Sequence, residues 1–177
     1  MFQFLTFSAA GLACSLALAG CSPTFNWRQV QPEGTRLNLL LPCKPDKAQK
    51  MVALGGQATP LSMLGCDAGD ATFAVAVAEG FAASQADPVL AQWQALTLAN
   101  MKAMPGSQQP LPVNIAGASA SAPATRVQAL GQRANEAAVS GQAAYFAQGS
   151  QLFQVVMYAP KITPEVAETF FSSLKFE

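Results

Sequence analysis

The first chemically distinct group in this chain is a thiol set behind small residues at the end of an apolar run, in Leu18-Ala19-Gly20-Cys21. Phe2 to Leu18 carries no charge. A run of this kind ending in small residues reads as a signal-peptide core with a cleavage site, here after Gly20. The rival reading is a retained membrane helix, because the run nearly reaches bilayer-spanning length. Cys14 would leave with the signal, and Cys43 and Cys66 remain beyond it. In an oxidising compartment that pair is expected to form a disulfide. On the chain-entropy view the loop it closes is worth roughly 3 kcal/mol. A redox or metal role is less well supported, since the spacing is not Cys-x-x-Cys and no His completes a zinc site.

The absence of His excludes Ser-His-Asp and Cys-His catalysis and every His-ligated metal site. Ser172-Ser173-Leu174-Lys175 matches Ser-x-x-Lys in form, but no Lys-Thr-Gly element follows it, so an exposed helix end is expected. Met101 and Met104 could present thioethers to Cu(I); core packing beside Trp93 explains them better. Asp67 and Asp70 could touch Ca²⁺, yet a turn rich in Asp and Gly accounts for them. A carboxylate enzyme would need two acids, such as Asp67 and Glu79, to converge in a cleft. Glycines are scattered, so no phosphate-cradling loop is expected. Arg126 and Arg133 read as solvated. No catalytic residue, metal ligand or cofactor is therefore assigned.

Cleavage would leave residues 21–177, the size of one domain. About half of the whole chain is hydrophobic, enough to build a core. Ten basic and ten acidic residues cancel, and no basic block exists, which argues against a nucleic-acid partner. Charged residues make up only 11% of the chain, so the surface must rely on Ala, Gln, Ser and Gly.

The positioning elements follow from periodicity. Residues 21–35 form a short tether with an edge strand at Phe25–Val30. Residues 36–177 form a single domain. Arg36–Leu41 sets Leu37, Leu39 and Leu41 on one face and stops at Pro42. Lys50–Leu54 is a strand before Gly55-Gly56, and Leu61–Cys66 with Thr72–Ala78 is a hairpin about Asp67–Asp70. In the last strand Phe73, Val75 and Val77 alternate with Ala74, Ala76 and Ala78. One face is bulky; the other admits a close neighbour. Asp87-Pro88 opens a helix that ends at Pro105-Gly106. It places Val89, Leu90, Trp93, Leu96, Met101 and Met104 on one side, interrupted by Asn100. Gly106–Pro123 is a loop with a short strand at Val113–Ile115. Strands at Ala124–Leu130, Gln142–Gln148 and Leu152–Tyr158 follow, the last two joined by Gly149-Ser150. A final helix starts at Thr163-Pro164, with Val166, Phe170 and Leu174 on one face. The order predicts α+β: an antiparallel sheet with helices packed on it.

Two resemblances add to this. Leu18-Ala19-Gly20-Cys21 resembles the bacterial lipoprotein signal. That implies a diacylglyceryl group on the Cys21 sulfur and residues 1–20 as signal peptide. Met1–Phe4 departs from the pattern in lacking Lys or Arg; either the amine of Met1 suffices or the start lies elsewhere. Ser22 rather than Asp at the next position is similar to the rule for outer-membrane sorting in a Gram-negative cell, facing the periplasm. Second, the Leu39-Leu40-Leu41-Pro42 strand stop, the hairpin, helix, meander and the tail Phe170-Phe171-Ser172-Ser173-Leu174-Lys175-Phe176 resemble the PsbP-like fold, an αβα sandwich. Trp27-Arg28-Gln29-Val30 resembles the start of proteobacterial lipoproteins of that build. The family implies protein binding and carries no catalytic residues over. The expected function is a membrane-anchored, non-catalytic module that binds a protein partner in the envelope. The alternative is a carrier of a small apolar ligand or lipid, held between sheet and helices near Trp93 and Phe73.

Overall fold

The computed structural model describes residues 24–177; Gly20 and Cys21 lie outside them. The described residues form ten strands and two helices. These are β1 (Arg28–Val30), β2 (Leu37–Leu41), β3 (Asp46–Leu54), β4 (Gln57–Ala68), β5 (Ala71–Ala78), α1 (Ala83–Asn100), β6 (Gln109–Leu111), β7 (Thr125–Gln132), β8 (Ala138–Gln148), β9 (Gln151–Ala159), α2 (Pro164–Phe171) and β10 (Lys175–Phe176). The class is α+β. Seven strands form one antiparallel sheet in the order β3-β4-β5-β9-β8-β7-β6, and β1-β2-β10 form a second, small sheet. The small sheet and α2 cover one face of the large sheet; α1 covers the other.

The two-sided pattern of β5 explains this layering. Phe73, Val75 and Val77 join Phe153, Val155 and Met157 of β9 and Phe146 of β8 on the bulky face. Leu37, Leu39 and Leu41, all fully buried, close over them from β2. On the opposite face Ala76, Ala78, Ala143 and Ala147 leave room for Val89, Leu90 and Trp93 of α1. The central strands are thus buried on both sides, and hydrophobic burial there is the main favourable term.

Several expectations shift. The first two strands pair with each other, Arg28 opposite Leu41, apart from the large sheet. The strand expected at 50–54 begins at Asp46, and its partner runs from Gln57. Pro60 is tolerated because it opposes Met51 of β3 alone; pairing with β5 starts only at Leu61. The short strand lies at Gln109–Leu111, where it meets β7, not at 113–115. The final helix stops at Phe171, and Phe176 turns back into β10 against β2. There Phe176 packs edge-on against the stacked pair Phe146 and Phe153.

The long helix opens at Ala83, one turn before Asp87-Pro88. The Gln85 side chain accepts a hydrogen bond from the Ala82 N–H (3.2 Å), so the helix opens a turn before Asp87. Pro88 is exposed in the second turn, where it removes one i→i−4 hydrogen bond of the helix. The buried stripe is Ala86, Val89, Leu90 and Trp93. Leu96 and Met104 are 39% and 51% exposed, contrary to the helical wheel. Leu96 turns off that stripe. Met104 lies past the helix end, where Lys102 takes a left-handed φ of 47° and the Met104 N–H donates to Leu130 O.

Gly131 lets the end of α1 touch β7. A Cβ there would stand 2.1 Å from the Met101 carbonyl oxygen, which accepts a hydrogen bond from Gln132 N–H. Gly131→Ala is expected to lower stability by about 2 kcal/mol, within the range for overpacking. Chemical denaturation of the purified variant checks this; unchanged stability would show that the helix end is free to move.

Candidate functional site

Cys43 and Cys66 are bonded, with Cα atoms 6.0 Å apart. The bond clips the turn after β2 to β4, next to the register partners Cys66 and Phe73. It is a structural clasp at the place where the N-terminal segment meets the body. Phe25 and Trp27 stack on each other, and both meet Phe73 edge-on. The Asn26 N–H donates to Pro42 O at 2.7 Å.

From beside the clasp toward the other end of the strands runs a groove. Pro32 to Thr35 make a tight turn: the Thr35 N–H and hydroxyl both donate to Pro32 O, and Gly34 takes a φ of 74°. Gln151 at the start of β9 fixes the turn by donating to Gly34 O (3.0 Å) and to Glu79 Oε1 (2.7 Å). Beneath it, Lys47, Gln49, Ser62 and Leu64 of β3 and β4 form the floor of a groove of about 560 Å³. A second hollow of about 660 Å³ adjoins it through Gly34 and Glu79, bordered by Arg36 and Gln148 to Gln151. Glu33 and Lys47 pair across the first at 3.0 Å, both exposed. The hydrogen bond from Lys47 holds the Glu33 carboxyl below its ordinary pKa. Arg36 donates from Nε to the Glu177 carbonyl oxygen. The strand beside this groove, β3, is an edge of the large sheet and, among the described residues, presents a row of backbone N–H and C=O groups without a strand partner.

The groove gathers polar side chains, and the residues weighed as reactive in the sequence lie apart from one another. Asp67 and Glu79 sit at opposite ends of β5, both exposed, so that pair of acids does not converge. Asp67 instead accepts the Thr72 hydroxyl at 2.6 Å. Ser172 Oγ donates to Glu168 O, and Lys175 Nζ pairs with Glu177, so the Ser-x-x-Lys groups turn away from each other. Lys175 belongs to β10 rather than to a helix end. Met101 is buried against Ala129 and Val139, in a different cluster from Trp93, while Met104 is exposed. Among the described residues no group of three His, Cys, Asp or Glu could hold a metal. Phe73 and Trp93 lie on opposite faces of the sheet and share no cavity. Beneath the end of α1 the free space is only about 10 Å³, bordered by Met101, Tyr145 and Tyr158.

Arg126 is not solvated as expected. It is buried and links α2 to the sheet: Nη1 donates to Glu168 (3.0 Å), Nη2 to Gln142 Oε1 (2.6 Å). Gln142 passes the chain to Gln128 at 2.9 Å. The guanidinium lies 4.1 Å from the centre of the Phe171 ring, a cation–π contact, while its Nε has no hydrogen-bond partner. Alternation placed Arg126 and Gln128 on one face of their strand; nothing in the sequence showed that α2 would cover that face. Arg133 is exposed, as expected.

Both tyrosines are held protonated. Burial raises the pKa of Tyr158, and burial outweighs the hydrogen bonds from Thr97 and Gln154 to raise that of Tyr145. The fold thus favours the neutral phenols. That contribution is complete below the unfolded value of about 10 and is lost as pH rises beyond it.

No family model matches the sequence, and no curated protein matches it. Among solved structures it is similar to a crystal structure of a protein from Bacteroides thetaiotaomicron VPI-5482, with 12% identity and a TM-score of 0.44. The match covers 80% of this chain and 45% of that one, so this chain spans less than half of that protein's length.

Two outcomes are expected. Replacing Cys43 and Cys66 by Ser costs about 3 kcal/mol, the loop-entropy value, read from denaturation midpoints; an unchanged midpoint would deny the clasp its role. In an alkaline titration the tyrosinate absorbance emerges together with loss of far-ultraviolet ellipticity, above about pH 10. Tyrosinate forming in a chain still folded would contradict the burial of both phenols.

Proposed function

We propose that the chain is a lipid-anchored, non-catalytic module that binds a protein partner in the cell envelope. Cys21 carries the anchor after cleavage at Gly20, and Ser22 directs the protein to the outer membrane, facing the periplasm. The observation that carries the binding role is the groove at Gly34 and Glu79 running beside the unpartnered edge strand β3. An extended segment of a partner can add to such an edge through main-chain hydrogen bonds, with alternate side chains entering the groove. The paired Glu33–Lys47 and the amides of Gln49 and Gln151 offer it polar contacts. The resemblance to the PsbP-like fold, a family of protein-binding accessories, supports the same reading. An apolar carrier needs a dry pocket of several hundred cubic ångströms. Between the sheet and α1 the side chains leave room for about one water.

A photo-crosslinking residue at Gln49, on the groove floor, is expected to capture one defined envelope protein in living cells. The same residue at Ala91, on the outer side of α1, is expected not to. Identical adducts from both positions, or none from Gln49, would count against the groove.

A further inference from the structure

The described chain starts at one end of the large sheet, and that end holds a fixed arrangement. Thr24 and Phe25 lie over the β4–β5 turn: a Cβ on Gly69, whose φ is 58°, would stand 3.3 Å from Thr24 Cγ2. The Cys43–Cys66 clasp and the Phe25–Trp27–Phe73 packing hold the segment there. The β7–β8 turn reaches the same end, since Asp67, Gly69 and Asp70 share a shallow hollow with Arg133, Asn135 and Pro160.

Three Cα steps separate Cys21 from Thr24, a reach of at most about 11 Å. The opposite end carries the β8–β9 turn at Gly149-Ser150 and the second hollow, bordered by Gly34, Glu79 and Gln148 to Gln151. The eleven residues of β8 connect the two ends, a length of roughly 33 Å. A leash of that reach cannot bring the far end to the surface while the near end stays away.

We infer that the end formed by the β4–β5 turn, the β7–β8 turn and the Cys43–Cys66 clasp faces the phospholipid surface, and that the hollow bordered by Gly34, Glu79 and Gln148 to Gln151 points away from it. This rests on the proposed lipid at Cys21. The docking is steric rather than electrostatic. Lys44, Arg133 and Lys161 at this end are matched by Asp46, Asp67, Asp70 and Glu136, so no basic patch attracts acidic headgroups. The arrangement leaves that hollow and the distal half of β3 open to a partner.

The test uses the lipidated protein reconstituted on phosphatidylcholine vesicles that carry headgroup spin labels. Single variants Asp70→Cys, Asn135→Cys, Gln57→Cys and Ser150→Cys each receive one fluorophore, because Cys43 and Cys66 are closed and Cys21 is acylated. The expected result is several-fold stronger quenching at 70 and 135 than at 57 and 150, unchanged when phosphatidylglycerol is added. Equal quenching at both ends, or stronger quenching at 57 and 150, overturns the orientation while leaving the anchor intact. Failure of the protein to float with the vesicles overturns the anchor reading itself, and the orientation with it.

Discussion

The arrangement turns on Phe73. Its fully buried ring meets Phe25 and Trp27 edge-on from the N-terminal segment and Phe170 from α2, with centroids 5.2 to 6.3 Å away. These contacts join the first described residues, the central sheet and the last helix at one point. Each such pair adds about 0.5–1.5 kcal/mol beyond the area it buries. Truncation of this ring would open a cavity where three layers meet. The disulfide closes beside it, because Cys66 is the cross-strand partner of Phe73. The place where the chain enters the body is therefore set by core packing, not by a loop.

From that junction the rest follows by side-chain size. Bulky residues on one face of β5, β8 and β9 need a thick cover, supplied by the leucines of β2, the phenylalanines of α2 and Phe176. Alanines on the other face need a close neighbour, supplied by the side of α1 that carries Trp93. Arg126 lashes α2 to the sheet with a buried charge whose partner Glu168 is largely exposed, so the link orients the helix more than it stabilises the protein. With both faces covered, open backbone is left at the edge strand β3, beside the groove.

The strands were legible wherever one face was buried. Leu37, Leu39 and Leu41, and the Phe/Val against Ala alternation of β5, announced themselves by period. The disulfide was legible because Cys43 and Cys66 are the two cysteines beyond Leu18-Ala19-Gly20-Cys21. Pairing partners were not legible. Nothing in Arg28 to Leu41 shows that this hairpin leaves the main sheet, since that depends on the area the bulky face must cover. The helix start was misplaced because Asp87-Pro88 is the stronger local signal, whereas Gln85 caps the turn before it. The groove was invisible for a similar reason. Glu33, Lys47, Glu79 and Gln151 are far apart in sequence and meet only through register. Arg126 was misread because a strand's polar face looks solvated until a helix is laid over it.

The functional account stands on the sulfur of Cys21. Intact-mass spectrometry of the protein extracted from membranes by detergent tests it directly. The account predicts a chain beginning at Cys21, heavier than the polypeptide from that residue onward by a diacylglyceryl group, with or without a further acyl chain. A chain that retains residues 1–20 with Cys21 unmodified would contradict it.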